Sequence, residues 1–227
     1  MDSDLRIRYI YHSCFIVETA HNLFVFDYYK GKVTLPQNKR IFVLCSHGHP
    51  DHFNPIILDW QQKRPGIQYI FSSDISTVQA NNIQFMSPYE KIEIDDITIK
   101  TYGSTDLGVS FFISFEGIHL FHAGDLNWWY WWNDTKEEIE KAENTFKAEI
   151  AKMKGNAIDI AFFPVDPRLE HLYTLGAEYF IQELKPKIFI PMHFGDDHES
   201  AAKFASGMKK SSTRVIVFTD KCQEIQL

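Results

Sequence analysis

An apolar run that ends in three imidazoles and a carboxylate is the strongest constraint on this chain. Ile41-Phe42-Val43-Leu44-Cys45 leads directly into Ser46-His47-Gly48-His49-Pro50-Asp51-His52. A short, nearly continuous apolar run predicts a strand covered on both faces, as in the sheets of α/β proteins. That strand delivers the polar cluster to its carboxyl end. Imidazole and carboxylate are the side chains that hold zinc and similar divalent ions. Packing gives no reason for four of them in six positions, so the motif predicts a bound metal that does chemistry. Residues two apart at a strand end point the same way, so His47 and His49 can reach one ion. Asp51 and His52 follow in the loop and face a second position. One loop cannot close two sites, and further ligands must come from elsewhere. Asp125, after the apolar residues 118–122 and Gly124, is one. His193, after 187–191, is another.

The rest of the chain divides into two styles. Residues 6–18, 23–27, 41–45 and 69–72 read as strands, with His21-Asn22 as a hairpin turn. Residues 54–62 read as a helix stopped by Arg64-Pro65-Gly66. Residues 92–94, 97–101, 109–115 and 118–122 read as an antiparallel meander with turns at Asp95-Asp96 and Glu116-Gly117. From 134 the pattern alternates. Residues 134–154 form an amphipathic helix with Asp134 as N-cap, Glu137 three residues on and Gly155 at the stop. Strand 158–164, helix 175–184, strand 187–191, helix 198–209 and strand 214–218 follow. Strands first and strand–helix alternation later predict an α/β fold in which sheets pack together with helices outside. No linker or repeat interrupts residues 1–227, which read as a single domain.

Composition narrows the function. With 227 residues and 44% hydrophobic side chains the chain can bury a substantial core. A net charge of -7 disfavours a nucleic-acid surface. Three cysteines without Cys-x-x-Cys spacing predict buried thiols in a reducing compartment. The first six residues lack the basic and apolar regions of a signal peptide, and no apolar run approaches the ~20 residues of a membrane span. The expectation is a cytoplasmic protein acting on a small molecule.

The motif at 47–52, followed in order by Asp125 and His193, resembles the His-x-His-x-Asp-His signature of the metallo-β-lactamase superfamily. Tyr11-His12-Ser13-Cys14-Phe15 and the acid Asp27 after Leu23-Phe24-Val25-Phe26 make the chain most similar to its small members related to ascorbate-6-phosphate lactonase. The resemblance implies a four-layer αββα sandwich and two divalent metal ions, zinc first and manganese or iron as alternatives. It implies His47 and His49 on the first ion, Asp51, His52 and His193 on the second, and Asp125 bridging both. It implies a hydrolase in which a metal-bound hydroxide attacks a small, anionic ester, lactone or phosphodiester. A nuclease of the same superfamily and a non-catalytic metal-binding or ligand-sensing module are the rival readings. The chain departs from the family at one point. The segment that usually supplies a third histidine to the first ion reads Gly103-Ser104-Thr105-Asp106-Leu107-Gly108. Thr105 lies nearest the missing ligand. Either Asp106 coordinates, which favours a harder metal, or the first ion binds weakly.

Other residues carry two readings each. Asp51 holds the attacking water as well as its ion. His12 is a substrate contact or a residue buried in the sheet. Asp27 orients a metal-bound histidine or is a plain strand-end acid. His122 lines the site or fills the core. Arg168 pairs with a substrate phosphate or carboxylate, or with Asp166 or Glu170. The run Trp128-Trp129-Tyr130-Trp131-Trp132 is a wall of the substrate pocket, core packing or a dimer interface; five consecutive aromatics cannot all face one way.

Overall fold

The computed structural model of the chain describes residues 5–75 and 82–227. The reading of the N-terminus as free of a leader falls largely on residues 1–4, which lie outside the described residues. In chain order the elements are β1 (Arg6–Tyr11), β2 (Cys14–Glu18), β3 (Asn22–Phe26), β4 (Arg40–Cys45), α1 (Trp60–Lys63), β5 (Gln68–Ser72) and β6 (Ile83–Met86). Then come β7 (Lys91–Ile94), β8 (Ile97–Tyr102), β9 (Ser110–Phe115), β10 (Ile118–His122), α2 (Lys136–Ala151), β11 (Ile160–Pro164) and α3 (Leu175–Leu184). The last are β12 (Ile188–Met192), α4 (His198–Gly207), β13 (Arg214–Val215) and β14 (Glu224–Gln226). No helix among the described residues is long and apolar enough to cross a membrane.

Two compact units emerge, Met1–Met86 with Phe218–Leu227 and Ser87–Val217. The first holds one mixed sheet in the order β14-β1-β2-β3-β4-β5-β6. Its strands run antiparallel from β14 to β3 and parallel from β3 to β6. The run at 41–45 is the body of β4, buried between two parallel neighbours. Ile16, Val25, Val43, Cys45 and Phe71 pack into one core there.

The second unit repeats the plan without a visible sequence repeat. Its sheet order is β13-β12-β11-β10-β9-β8-β7. The strands from β7 to β10 form the expected antiparallel meander, and those from β10 to β13 are parallel. Helix α3 has the predicted bounds and buries Phe180, whose ring lies 4.6 Å from Phe163 and 5.4 Å from Phe121. Where α3 begins, packing leaves no room for a side chain. A Cβ on Gly176 would stand 2.1 Å from Asn127 Oδ1 and 3.0 Å from the Trp128 backbone nitrogen. Gly176→Ala is expected to lower stability by about 1–3 kcal/mol through overpacking. The readout is the urea midpoint, and an unchanged midpoint would contradict this packing.

Three local expectations are corrected. Residues 54–62 are not one helix. Asn54 caps a 3-10 turn over Pro55–Asp59, its side chain accepting from the Ile56 N–H at 3.1 Å, and α1 adds a single turn. Helix α2 is capped by Thr135 rather than Asp134. Thr135 and Glu138 form a reciprocal capping box, while Asp134 accepts from the Trp131 N–H at 3.2 Å. Residues 214–218 pair as a strand only over β13. From Phe218 the chain belongs to the first unit, where that ring sits 6.0 Å from Tyr9 and 5.7 Å from Phe15.

Candidate metal centre

Parallel strands present everything that follows them on one edge of a sheet, the usual place for ligand-binding groups. In the first unit, β3 ends on Phe26 and releases Asp27, and β4 ends on Cys45 and releases the motif loop. Asp27 is fully buried and accepts three hydrogen bonds: from Ser46 N–H, Ser46 Oγ and His52 Nδ1, each at 2.7 Å. That last contact fixes the His52 ring. Ser46 Oγ also lies 3.0 Å from His47 Nδ1, and His47 Nε2 lies 3.0 Å from His49 Nδ1. Gly48 N–H donates to Asp74 at 2.7 Å, and a Cβ there would stand 3.2 Å from that carboxylate, so glycine keeps the turn close to it. His12, in the turn between β1 and β2, is half-buried with Nε2 3.4 Å from Asp51 Oδ2. The His12 hydrogen bond, with His52 nearby, holds the Asp51 carboxyl well below the usual carboxylate range despite its partial burial. One ligand atom from each of His12, Asp51 and His52 lies within 4.8 Å of the others.

In the second unit the same logic operates. β10 releases Asp125, β11 releases Asp166, and β12 releases His193. Pro164 and Met192 are register partners, so Asp166 and His193 emerge side by side. Asp166 Oδ2 lies 2.9 Å from His193 Nδ1, and Asp125 Oδ1 lies 3.2 Å from His193 Nε2. Burial pushes the Asp166 carboxyl up, but hydrogen bonds from His193 and Arg168 outweigh it and hold it at about 2. Asp106 is exposed, and its ligand atom lies within 4.8 Å of that of Asp125. Thr105, the residue nearest the missing histidine, is committed elsewhere. Its hydroxyl donates to Asn127 O at 2.6 Å and accepts from Asn127 N–H at 2.9 Å.

These donors fit divalent metal. Three histidines, His47, His52 and His193, have Nδ1 against an oxygen; a proton on Nδ1 leaves the lone pair on Nε2 for an ion. The backbone also marks these residues. His12 (φ 58°), Asp27 (φ 43°) and His193 (φ 67°) all sit in the left-handed region. That conformation costs on the order of 1–3 kcal/mol each and persists where surroundings over-determine it, as at functional sites.

A family profile described as "Beta-lactamase superfamily domain" matches residues 6–193. The chain belongs to that superfamily. It is 24% identical over 233 residues to a UPF0173 metal-dependent hydrolase of Opitutus terrae, covering 88% of this chain and 92% of that protein. It superposes with a TM-score of 0.69 on a structure described as a metal-dependent hydrolase of Parabacteroides distasonis, at 19% identity over 96% of this chain and 94% of that one. The metallo-β-lactamase fold protein YhfI of Bacillus subtilis gives a TM-score of 0.67 at 13% identity, covering 98% of each chain. The fold is therefore the metallo-β-lactamase fold, with two mixed sheets and helices in the α/β class.

Within the superfamily frame, the ambiguous residues take single places. His122 is fully buried, accepts from Gly124 N–H at 3.2 Å and rests against Phe162, so it fills the core. The aromatic run splits. Trp128 packs between Phe146 and Tyr179, both 6.0 Å away. Trp129 donates to Asp125 O at 2.9 Å and faces His193 at 5.7 Å, with Trp131 stacked on its other side at 5.9 Å. Trp132 is 67% exposed. Arg168 forms the anticipated bridge to Asp166, with Nε 2.9 Å from Oδ2. Sequence reasoning missed Asp166 as the partner of His193. The signal was available, since it is an acid just past a buried strand in the same loop position as Asp27. Asp74 gave none.

Proposed function

We propose that this chain, a metal-dependent hydrolase of the metallo-β-lactamase superfamily, cleaves a small anionic ester, lactone or phosphodiester. His47, His49 and Asp106 serve a first ion, Asp51, His52 and His193 a second, and Asp125 both, as the family resemblance implies. Zinc suits the histidines, and manganese or iron suits the added carboxylate. Bound there, divalent ions lower the pKa of water and polarise the scissile oxygen. The chain's own groups do the positioning. Asp27 and Asp166 hold the rings of His52 and His193 by their Nδ1 atoms. Asp51, held ionised beside His12, is placed to accept a proton from the attacking water. The pair of buried carboxylate–histidine contacts, Asp27–His52 and Asp166–His193, is the observation that carries this reading. It is the arrangement by which proteins orient and sharpen metal-binding imidazoles.

Arg168 supplies the preference for an anion. Its side chain is 60% exposed, its orientation is fixed by buried Asp166, and Nη2 stands 3.4 Å from His193 Nδ1. The Trp131 ring lies beneath the guanidinium at 5.9 Å. Arg168→Met is expected to raise KM for anionic substrates about ten- to hundredfold, the worth of a charged hydrogen bond. Neutral esters should be unaffected, and an equal effect on both would remove Arg168 from substrate recognition. The three free cysteines, two of them buried, support a reducing, cytoplasmic setting. The reading is tested with a panel of ester, lactone and phosphodiester substrates on metal-loaded and metal-stripped protein. Turnover only in the loaded form is expected. No turnover across the panel with metal fully loaded would favour a ligand-sensing module.

A further inference from the structure

Helix α2 buries Phe146, Glu149 and Ile150, and the carboxylate among them needs a reason. An acid buried to 5% exposure on an apolar helix face is costly unless its oxygens are satisfied. Glu149 has three donors. Oε1 accepts from Gly103 N–H at 2.7 Å; Oε2 accepts from the Tyr89 hydroxyl at 2.8 Å and from Lys152 Nζ at 2.6 Å. Lys152 also contacts the Tyr89 hydroxyl and lies over its ring at 4.3 Å.

What the carboxylate grips is the first residue of the loop that lacks the family's third histidine. Gly103 directly follows β8 and opens the segment leading to Thr105 and Asp106. Its carbonyl is held as well, accepting from Ser110 Oγ at 3.2 Å. A Cβ on Gly103 would stand 3.1 Å from the Glu149 carboxylate and from the Tyr89 hydroxyl, so the close approach needs glycine. Further along, Thr105 is clamped to the Asn127 backbone, and Asp106 N–H donates to Ser104 Oγ at 3.2 Å. A loop that ends in an exposed acid is thus bolted at both sides of that acid to buried structure.

We infer that Glu149 is the positioning residue of the Asp106 loop, setting through Gly103 where the Asp106 carboxylate stands and so how tightly the first ion is held. This rests on the reading of Asp106 as a ligand of that ion. A helix-to-loop bond stands in for the rigidity that a histidine ring would bring to the same segment. Glu149 touches neither ion nor substrate. Purely structural pinning of α2 predicts a loss of stability alone, whereas positioning predicts a selective loss of metal.

The test is competitive zinc titration of the metal-stripped chain, against a chromophoric chelator, for wild type, Glu149→Ala, Glu149→Gln and Asp106→Ala, with Tm recorded beside it. Glu149→Ala is expected to weaken one zinc site about 10–100-fold and leave the other within a factor of two. Glu149→Gln, which keeps an acceptor for Gly103 N–H, should recover most of that loss. If the alanine variant does not fold, Gly103→Ala tests the same contact from the loop side and should weaken the same site. Wild-type zinc affinity at both sites in Glu149→Ala, or in Gly103→Ala, overturns the inference even where Tm falls. Asp106→Ala separates the two failures. If it loses the site and the Glu149 variants keep it, the positioning role alone is wrong. If it too keeps both sites, the ligand assignment of Asp106 has failed, and the inference with it.

Discussion

Replacing Asp27 with alanine is expected to cost about 3–5 kcal/mol of stability, the scale for breaking a buried ion-pair network, and to weaken metal binding about 10–100-fold. Two effects add. The buried Ser46 N–H, Ser46 hydroxyl and His52 Nδ1 all lose their acceptor, and no water reaches a residue with no exposed surface. The backbone penalty adds to this, because Asp27 holds φ 43°, a conformation aspartate and asparagine tolerate and alanine resists. Asp27→Asn separates the contributions. It keeps the left-handed preference and one acceptor oxygen, so most stability should return, while a ring held by a neutral amide binds metal less well. Urea denaturation and zinc titration measure the two quantities. An alanine variant as stable and as zinc-rich as wild type would mean that Asp27 is a plain strand-end acid.

Asp125→Ala should have the largest effect on turnover, a fall of about 1,000-fold or more, since several kcal/mol of transition-state stabilisation travel with metal. The fold should survive. Asp125 sits just past β10 with its side chain 7% exposed and Oδ1 3.2 Å from His193 Nε2. Removing it takes away a ligand and a neighbour of one histidine, not a core side chain. Stability against added zinc discriminates between a metal role and a general one. Wild type should gain Tm as zinc saturates it, by the linkage between binding and folding. Asp125→Ala should start near the metal-free wild-type Tm and gain much less. A variant that gained as much Tm and kept its activity would take Asp125 out of the centre.

Much of the site was legible because metal chemistry restricts side chains more than packing does. His47, His49, Asp51 and His52 stand together in sequence, and Asp125 and His193 follow buried strands, so a local pattern finds them. The helix α3 was readable to the residue because its apolar face repeats cleanly. Helix α2 was misplaced by one residue because Asp134 with Glu137 and Thr135 with Glu138 offer overlapping capping boxes, and only the turn at Trp131 decides between them. Edge strands β6 and β14 are too short and polar to show a period. Asp166 and Glu149 were hidden for another reason. Their roles lie in what they hold, His193 and Gly103, and those partners are 27 and 46 residues away.

Metal analysis of the purified chain with stoichiometry, paired with anomalous diffraction at the absorption edge of the metal found, tests the central claim most directly. The account predicts divalent transition metal with peaks against His47, His49 and Asp106 and against Asp51, His52 and His193, with Asp125 touching both. It also predicts that chelation removes hydrolysis and that zinc, manganese or iron restores it. A chain that holds no metal at these residues and hydrolyses its substrate undiminished after chelation would contradict the account.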